Sequence, residues 1–231
     1  VEDLPTPVAA PVEAIEKTAE AVEEVKEKTE QELTGAALEI AADEPAVKKQ
    51  ALVRMGGIRA LDASVFLFIN HLPHTRETDY AVGGLSDLGK GVGWVAVAVV
   101  AGLADGRRGW RAGVATVAGM LASTGLTQGP IKKYFMRRRP FEDVVEDIVV
   151  GKRAPDSSFP SGHTAGSFAA ATVMSHFYPR WRIPLYAAAV GVGFSRTYLG
   201  QHYPSDVAGG ALIGTSVGLT AAQLGSRLGR K

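Results

Sequence analysis

Twenty consecutive residues, Ala112–Ile131, carry no charge, and a helix of that length can cross a bilayer. Five more stretches share the texture: Ala63–Leu72, Gly91–Ala104, Thr164–Tyr178, Ile183–Ser195 and Val207–Ser226 contain no Asp, Glu, Lys or Arg. Their Gly and Ala content lowers hydropathy, but small residues are what membrane helices use to approach one another closely. Trp94, Trp110, Tyr178 and Trp181 fall at the ends of these runs, as an interfacial aromatic belt would place them. The expected fold class is therefore all-α, a six-helix integral membrane bundle over residues 61–231. The alternative for the same pattern is a soluble all-helical bundle whose helices are buried.

Residues 1–60 are a different material. The first 50 residues hold 13 acidic against 5 basic side chains, whereas residues 51–231 hold 11 against 20, so a net charge of +1 conceals two opposed halves. Residues 1–11 read as a Pro-punctuated lead, and no leader peptide is expected there, because residues 1–10 hold two acids and two prolines and no apolar run. Over residues 12–33, Val12, Ile15, Ala19 and Val22 form a thin stripe, and Glu13–Lys17 and Glu24–Lys28 are spaced i,i+4. A solvated surface helix is expected, with a partner-binding helix as the alternative. Gly35 and Asp43-Glu44-Pro45 then lead into a linker. Residues 1–60 are thus set apart as an acidic N-terminal extension and linker, and a chain starting near Lys49 is expected to fold and work normally. The absence of cysteine excludes disulfide frameworks, thiolate metal sites and cysteine nucleophiles.

Three patterns stand at the mouths of the uncharged runs. Lys132 is followed after six residues by Arg139-Pro140. Pro160-Ser161-Gly162-His163 opens an apolar helix. Ser195-Arg196 is followed after five residues by His202 and after three more by Asp206. Any one of them is weak, but all three in order are specific. Two histidines and an aspartate suggest a metal triad in isolation. Three fixed cations, Lys132, Arg139 and Arg196, would repel a divalent ion and attract a tetrahedral anion, so neither metal nor cofactor is expected. Arginine supplies planar paired donors, lysine a point charge, and the start of the helix at Ser161-Gly162-His163 free backbone N–H groups. Phosphoryl transfer asks mainly for this positioning and charge. His202, with Asp206 four residues on, is the expected nucleophile, and His163 the acid for the leaving oxygen and then the base for water. Chemistry alone allows the two histidines to exchange roles.

The three patterns resemble the tripartite signature of the type 2 phosphatidic acid phosphatase superfamily, which also includes vanadium haloperoxidases and glucose-6-phosphatase. The match is complete at Lys132, Arg139, Pro140, Pro160, Ser161, Gly162, His163, Ser195, Arg196, His202 and Asp206, and it covers roughly Leu61 to Gln223. The resemblance implies a six-helix membrane bundle, metal-independent hydrolysis of phosphate esters, and the roles just given to His202, Asp206 and His163. Residues 1–60 have no counterpart in it.

The expected activity is hydrolysis of a lipid phosphate or diphosphate through a phosphohistidine, with polyprenyl diphosphate as first choice. Phosphatidate-type and prenyl-phosphoryl sugar phosphate substrates are the alternatives; a vanadate haloperoxidase and a non-catalytic phospholipid-binding scaffold are more distant ones. The diphosphate preference rests on five further cations, Lys133, Arg137, Arg138, Lys152 and Arg153, which exceed what one phosphate needs; contacts to lipid headgroups or to Glu142, Asp143, Glu146 and Asp147 are the other use for them. The expected partners are the lipid substrate and surrounding membrane lipids, with no nucleic acid and an unnamed partner for the N-terminal helix. His71 and His74 read as interfacial residues, and His176 lies about 20 Å along its helix from His163, outside any shared site. If the motif ends of the helices share one face and the first run spans, 12 cations lie on the opposite face against 7 outside the signature on the motif face. That bias places the active site outside the cytoplasm in a multi-pass protein.

Overall fold

A computed structural model describes residues 10–42, 55–144 and 147–227, and among them every regular element is a helix. The chain divides into two compact units, Val1–Ser64 and Val65–Lys231.

In the first unit, α1 runs over Ala10–Ile40, longer than the stretch expected over 12–33. A single glycine inside a helix costs about 1 kcal/mol. The residues after Gly35 (AALEI) are strong helix formers, and one turn on Ala37 is fully buried, so the helix passes through. Val22 and Val25 stay well exposed, and Lys26 pairs with Glu23 at 3.2 Å. The side chains of Val12, Glu13 and Ile15 and the expected linker around Asp43-Glu44-Pro45 lie outside the described residues. Near the start of α2 (Gly57–Asn70), the Gly57 N–H donates to Thr34 Oγ1 at 2.8 Å.

The second unit continues with α3 (Arg76–Leu88), α4 (Val92–Leu126), α5 (Gly162–Phe177), α6 (Arg182–Tyr198) and α7 (Pro204–Arg227). α3 has no apolar run to announce it. It forms because Thr75 and Thr78 make a reciprocal cap, each side chain accepting the other's backbone N–H. α4 is two limbs folded on each other at Asp105 and Gly106, which leave helical dihedrals. A Cβ on Gly109 would lie 1.8 Å from Ala101 O and one on Gly113 2.9 Å from Ala98 O, so only glycine admits this antiparallel contact.

Glycines also set the relation of the remaining helices. Gly210, Gly214 and Gly218 on α7 lie against the backbone oxygens of Ser161, Ala165 and Ala169 on α5, at 2.5, 2.2 and 2.8 Å from an added Cβ. The constant offset means that α5 and α7 run parallel, with their N-termini side by side. On α7, Gly225 meets Ala115 and Ala221 meets Gly119, so the second limb of α4 runs antiparallel to it and ends beside those N-termini. Gly193 of α6 meets Val207 and Thr164, which brings the end of α6 to the same place. Four helix termini therefore converge at one end of the unit. A π-turn at Thr127–Ile131 containing Pro130 closes the second limb and delivers Lys132 there.

All six uncharged runs are helical over most of their length. By length and composition, however, α7 alone among the described residues is long and apolar enough to cross a membrane, and the pair Arg76–Leu88 and Val92–Asp143, bent by 58°, makes a second if taken as one span. α5 and α6 have 16 and 17 residues, about 24–26 Å of helix against a hydrocarbon core of about 30 Å. The six-span expectation is thus coarser in the structure: an all-helical unit with one or two spans of full length.

Candidate active site

Each converging terminus contributes one part of the three patterns. Lys132 comes from the turn after the second limb of α4 and Arg139 from the start of the one-turn helix Pro140–Asp143. Ser161, Gly162 and His163 come from the N-terminus of α5, Arg196 from the end of α6, and His202 and Asp206 from the α6–α7 junction and first turn of α7. That junction needs Gly200, whose φ is +74° and where a Cβ would lie 2.4 Å from Ile148 O.

Lys132 and Arg139 are almost completely buried. Both are held by Asp156: Lys132 Nζ donates to Oδ2, Arg139 Nη2 to Oδ1 at 2.6 Å, and Arg139 Nε to the Asp156 carbonyl at 2.8 Å. Arg139 Nη1 donates to Gln201 O at 2.7 Å and stands 3.4 Å from His202 Nε2. Arg196 donates to Ser86 Oγ at 2.7 Å, and its buried Nε has no acceptor among the described residues. His163 is half-buried, against Gly89, and within electrostatic range of Arg196, His202 and Lys132. Ser161 caps α5, its Oγ accepting from Thr164 Oγ1 at 2.9 Å, while its N–H donates to Asp206 O at 3.0 Å. Gly162 leaves room for the Gln128 amide, 2.8 Å from where a Cβ would be. The first N–H groups of α5 have no acceptor within the helix and remain to bind an anion.

Asp206 differs from its expected use. Its Oδ2 is 3.6 Å from His202 Nδ1, longer than a hydrogen bond. The carboxylate is taken instead by Arg137 Nη1 at 2.7 Å on Oδ1 and by Ser158 Oγ and the Tyr203 N–H, the latter at 2.9 Å, on Oδ2. Asp206 therefore faces the imidazole through charge rather than through a direct bond. Burial pushes His202 down to about 4, and the Arg139 and Arg196 charges add to it while Asp206 pulls only part of the way back, so the ring is neutral and its Nε2 lone pair is available near neutral pH.

Four residues of this constellation lie outside the signature. Asp156, Arg137 and Ser158 carry the contacts just described. Asn70, fully buried at the end of α2, donates to Ile148 O and Tyr198 O at 2.8 and 2.9 Å and accepts from the Ile148 N–H, tying the loop before Asp156 to the end of α6. The surplus of positive charge is smaller than its count. Arg137 is engaged by Asp206 and lies 4.2 Å over the Tyr203 ring, Arg138 faces Asp143 at 3.8 Å, and Arg153 stacks on Phe141.

A family model described as the PAP2 superfamily matches residues 113–230. The lipid A 1-phosphatase of Rhizobium johnstonii is 37% identical over 114 residues, which cover 46% of this chain and 45% of that protein. The decaprenylphosphoryl-5-phosphoribose phosphatase of Mycobacterium tuberculosis is 34% identical over 145 residues, covering 62% of this chain and 77% of the relative. The crystal structure of Aquifex aeolicus LpxE superposes with a TM-score of 0.57 at 26% identity, over 69% of this chain and 93% of that one. The chain spans about half the length of the first curated relatives it matches.

Proposed function

The chain belongs to the PAP2 superfamily, whose relatives matched here include phosphatases of lipid substrates, and from that premise we propose that it hydrolyses a polyprenyl-linked phosphate, with polyprenyl diphosphate first. The observation that carries this reading is the meeting of three signature cations with a neutral, buried His202 and with His163 at a helix N-terminus. Lys132, Arg139 and Arg196 hold the phosphoryl oxygens, helped by the N–H groups of Gly162 and His163 and by Ser161. Burial and the Arg196 charge push His163 down to about 3, so it takes up its proton as the anionic substrate binds. His202 Nε2, on the side of the ring facing Arg139, then forms the bond to phosphorus as the bond to the leaving oxygen breaks, and His163 gives that oxygen the proton. Water then attacks the phosphohistidine, His163 takes its proton, the P–N bond breaks, and inorganic phosphate leaves. No divalent ion is needed, because the cations already neutralise the charge that develops on the equatorial oxygens.

Exposed apolar side chains support a membrane setting. Val99, Val100 and Leu103 on the first limb of α4, Val114 and Leu121 on the second, Ile183 and Val190 on α6, and Leu212 and Leu219 on α7 all face outward, more apolar surface than a soluble monomer tolerates. The six runs form the bundle, with the motif end outside the cytoplasm. An apolar groove of about 660 Å³ bordered by Leu88, Trp94, Val97, Val100, Met174 and Leu185 begins one residue before Gly89, which lies against His163. A lipid tail beside the reacting headgroup fits that neighbourhood. The mycobacterial relative favours a second reading, a prenyl-phosphoryl sugar phosphate.

The test is phosphate release by detergent-purified protein across polyprenyl diphosphate, a prenyl-phosphoryl sugar phosphate, phosphatidate and phosphatidylglycerol phosphate. Fastest release from the first supports the proposal. Preference for the second selects the alternative, and much faster turnover of a diacylglycerol-based monophosphate overturns both.

A further inference from the structure

Asp156 lies on the irregular segment between Arg139-Pro140 and Pro160, and its side chain is 42% exposed, whereas those of Lys132 and Arg139 are 5% and 3% exposed. A half-exposed carboxylate thus reaches inward to two buried cations. The arrangement matches what those cations are built to hold: Arg139 presents Nη2 to one carboxylate oxygen while Lys132 closes on the other, the paired geometry in which guanidinium and ammonium bind phosphate. The third cation of the set, Arg196, is left with a buried Nε that has no acceptor among the described residues. A carboxylate has two oxygens and reaches two cations; a phosphoryl group has enough oxygens for all three.

Resting on the phosphatase reading, we propose that Asp156 is a tethered anion that occupies the phosphate subsite in competition with substrate and product, and that its return to Lys132 and Arg139 drives inorganic phosphate out. In the exchange the cations always face an anion, the phosphate bringing more negative charge than the carboxylate it displaces and meeting Arg196 as well. Substrate brings its own negative oxygens to Lys132, Arg139 and Arg196 as the carboxylate swings toward solvent, which its exposure allows. After hydrolysis the sequence reverses, and a buried pair of cations is never left uncompensated, a condition that costs several kcal/mol. Selectivity follows: a small anion with no lipid tail has only the subsite to bind and must outcompete Asp156 there, while a lipid substrate gains from its tail as well. The Asp156 carboxyl is pushed up by burial but held below the usual carboxylate range by Lys132 and Arg139, so it stays charged while it competes.

The experiment measures orthovanadate and inorganic phosphate binding by detergent-purified full-length chains, through inhibition constants and through the ligand-induced rise in thermal midpoint. For Asp156→Asn, both ligands bind at least tenfold more tightly than to the natural chain, and the rise in midpoint is larger even though the variant's own midpoint is lower. Asp156→Glu, which keeps the anion, stays within about threefold of the natural chain. Equal or weaker binding to a folded Asp156→Asn overturns the tether and leaves the phosphatase reading standing. If neither the natural chain nor Asp156→Asn binds vanadate or phosphate at all, the phosphate site itself is wrong.

Discussion

Arg137 places Nη1 2.7 Å from Oδ1 of Asp206, closer to that carboxylate than His202 is. The guanidinium fixes the carboxylate and offsets part of its charge, so under the proposed mechanism Arg137 is a positioning residue that acts on His202 through Asp206. Losing a hydrogen bond to a charged group costs about 1.5–3 kcal/mol. Arg137→Ala should therefore lower kcat roughly 10–100-fold with little change in KM. With less compensation, Asp206 pulls harder on the imidazolium, so the acid limb of the rate profile should move upward in pH. A merely structural loss would leave that limb in place.

The two histidines separate by leaving group. His202→Ala should remove nearly all turnover of every substrate. His163→Ala should do so for a lipid monophosphate ester, whose alkoxide leaving group needs a proton, but retain measurable turnover of an aryl phosphate or a diphosphate, whose leaving anions are stable. Asp206→Asn should cost less than His202→Ala and still orders of magnitude. Equal loss on aryl phosphate and lipid monophosphate substrates in His163→Ala would contradict its role as the acid.

Acid should act on His202 in a defined window. Its folded value of about 4 lies below the ordinary 6.5. Between those values the unfolded chain binds a proton that the folded chain does not, so stability rises with pH across the window and this contribution is flat above it. The loss on going from pH 6.5 to 4 is about 3 kcal/mol. Thermal midpoints of His202→Asn should fall less steeply than those of the natural chain over this range, and the acid limb of kcat/KM should lie well below 6.5.

Glycine contacts that bring the termini together should be intolerant of a methyl group. Gly214→Ala puts a Cβ 2.2 Å from Ala165 O. Overpacking of this kind costs about 1–3 kcal/mol, and here it also displaces Asp206 from Ser161. Gly125→Ala, which meets nothing within 4 Å, is the control and should leave the midpoint unchanged or raised. Equal midpoints in the two variants would refute the close α5–α7 contact.

Orientation follows from where the cations fall. Arg107, Arg108 and Arg111 follow the turn of α4, Arg180 precedes α6 and Arg182 opens it, and Arg227 ends α7, all at the end opposite Lys132 and His202. One of them, Arg108, caps α5 by donating to Phe177 O. The chain has no cysteine, so single cysteines report cleanly. An impermeant thiol reagent on intact cells should label Lys152→Cys, on the exposed loop of the motif end, and not Ser226→Cys. The reverse pattern would place the site in the cytoplasm.

Much of the site was legible because its chemistry is written in fixed local spacings. Lys132 and Arg139, Ser161 to His163, and Arg196, His202 and Asp206 stand in short segments, and the uncharged runs behind them announce the helices. What stayed hidden is set by tertiary choice. Asp156 is one of several acids in a charged segment, and nothing local marks it as the partner of Lys132 and Arg139. Arg137 is one of three successive arginines, of which Asp206 takes one and Asp143 faces the next. The same competition among neighbours removed much of the apparent charge surplus. α3 was missed because a short polar helix has no apolar period; the Thr75–Thr78 cap was its only signal. α1 outran its expected end because Gly35 alone is a weaker breaker than the helix formers beyond it.

The central claim is that phosphate passes through His202. Detergent-purified protein mixed with substrate labelled with 32P in its terminal phosphate, quenched within milliseconds in alkaline detergent in the presence of a chelator, should carry label that survives base and is lost in acid. That label should map to the peptide containing His202, persist in His163→Ala supplied with an aryl phosphate, and be absent from His202→Ala. Label on His163, or turnover that stops with the chelator and returns with magnesium, would contradict the account.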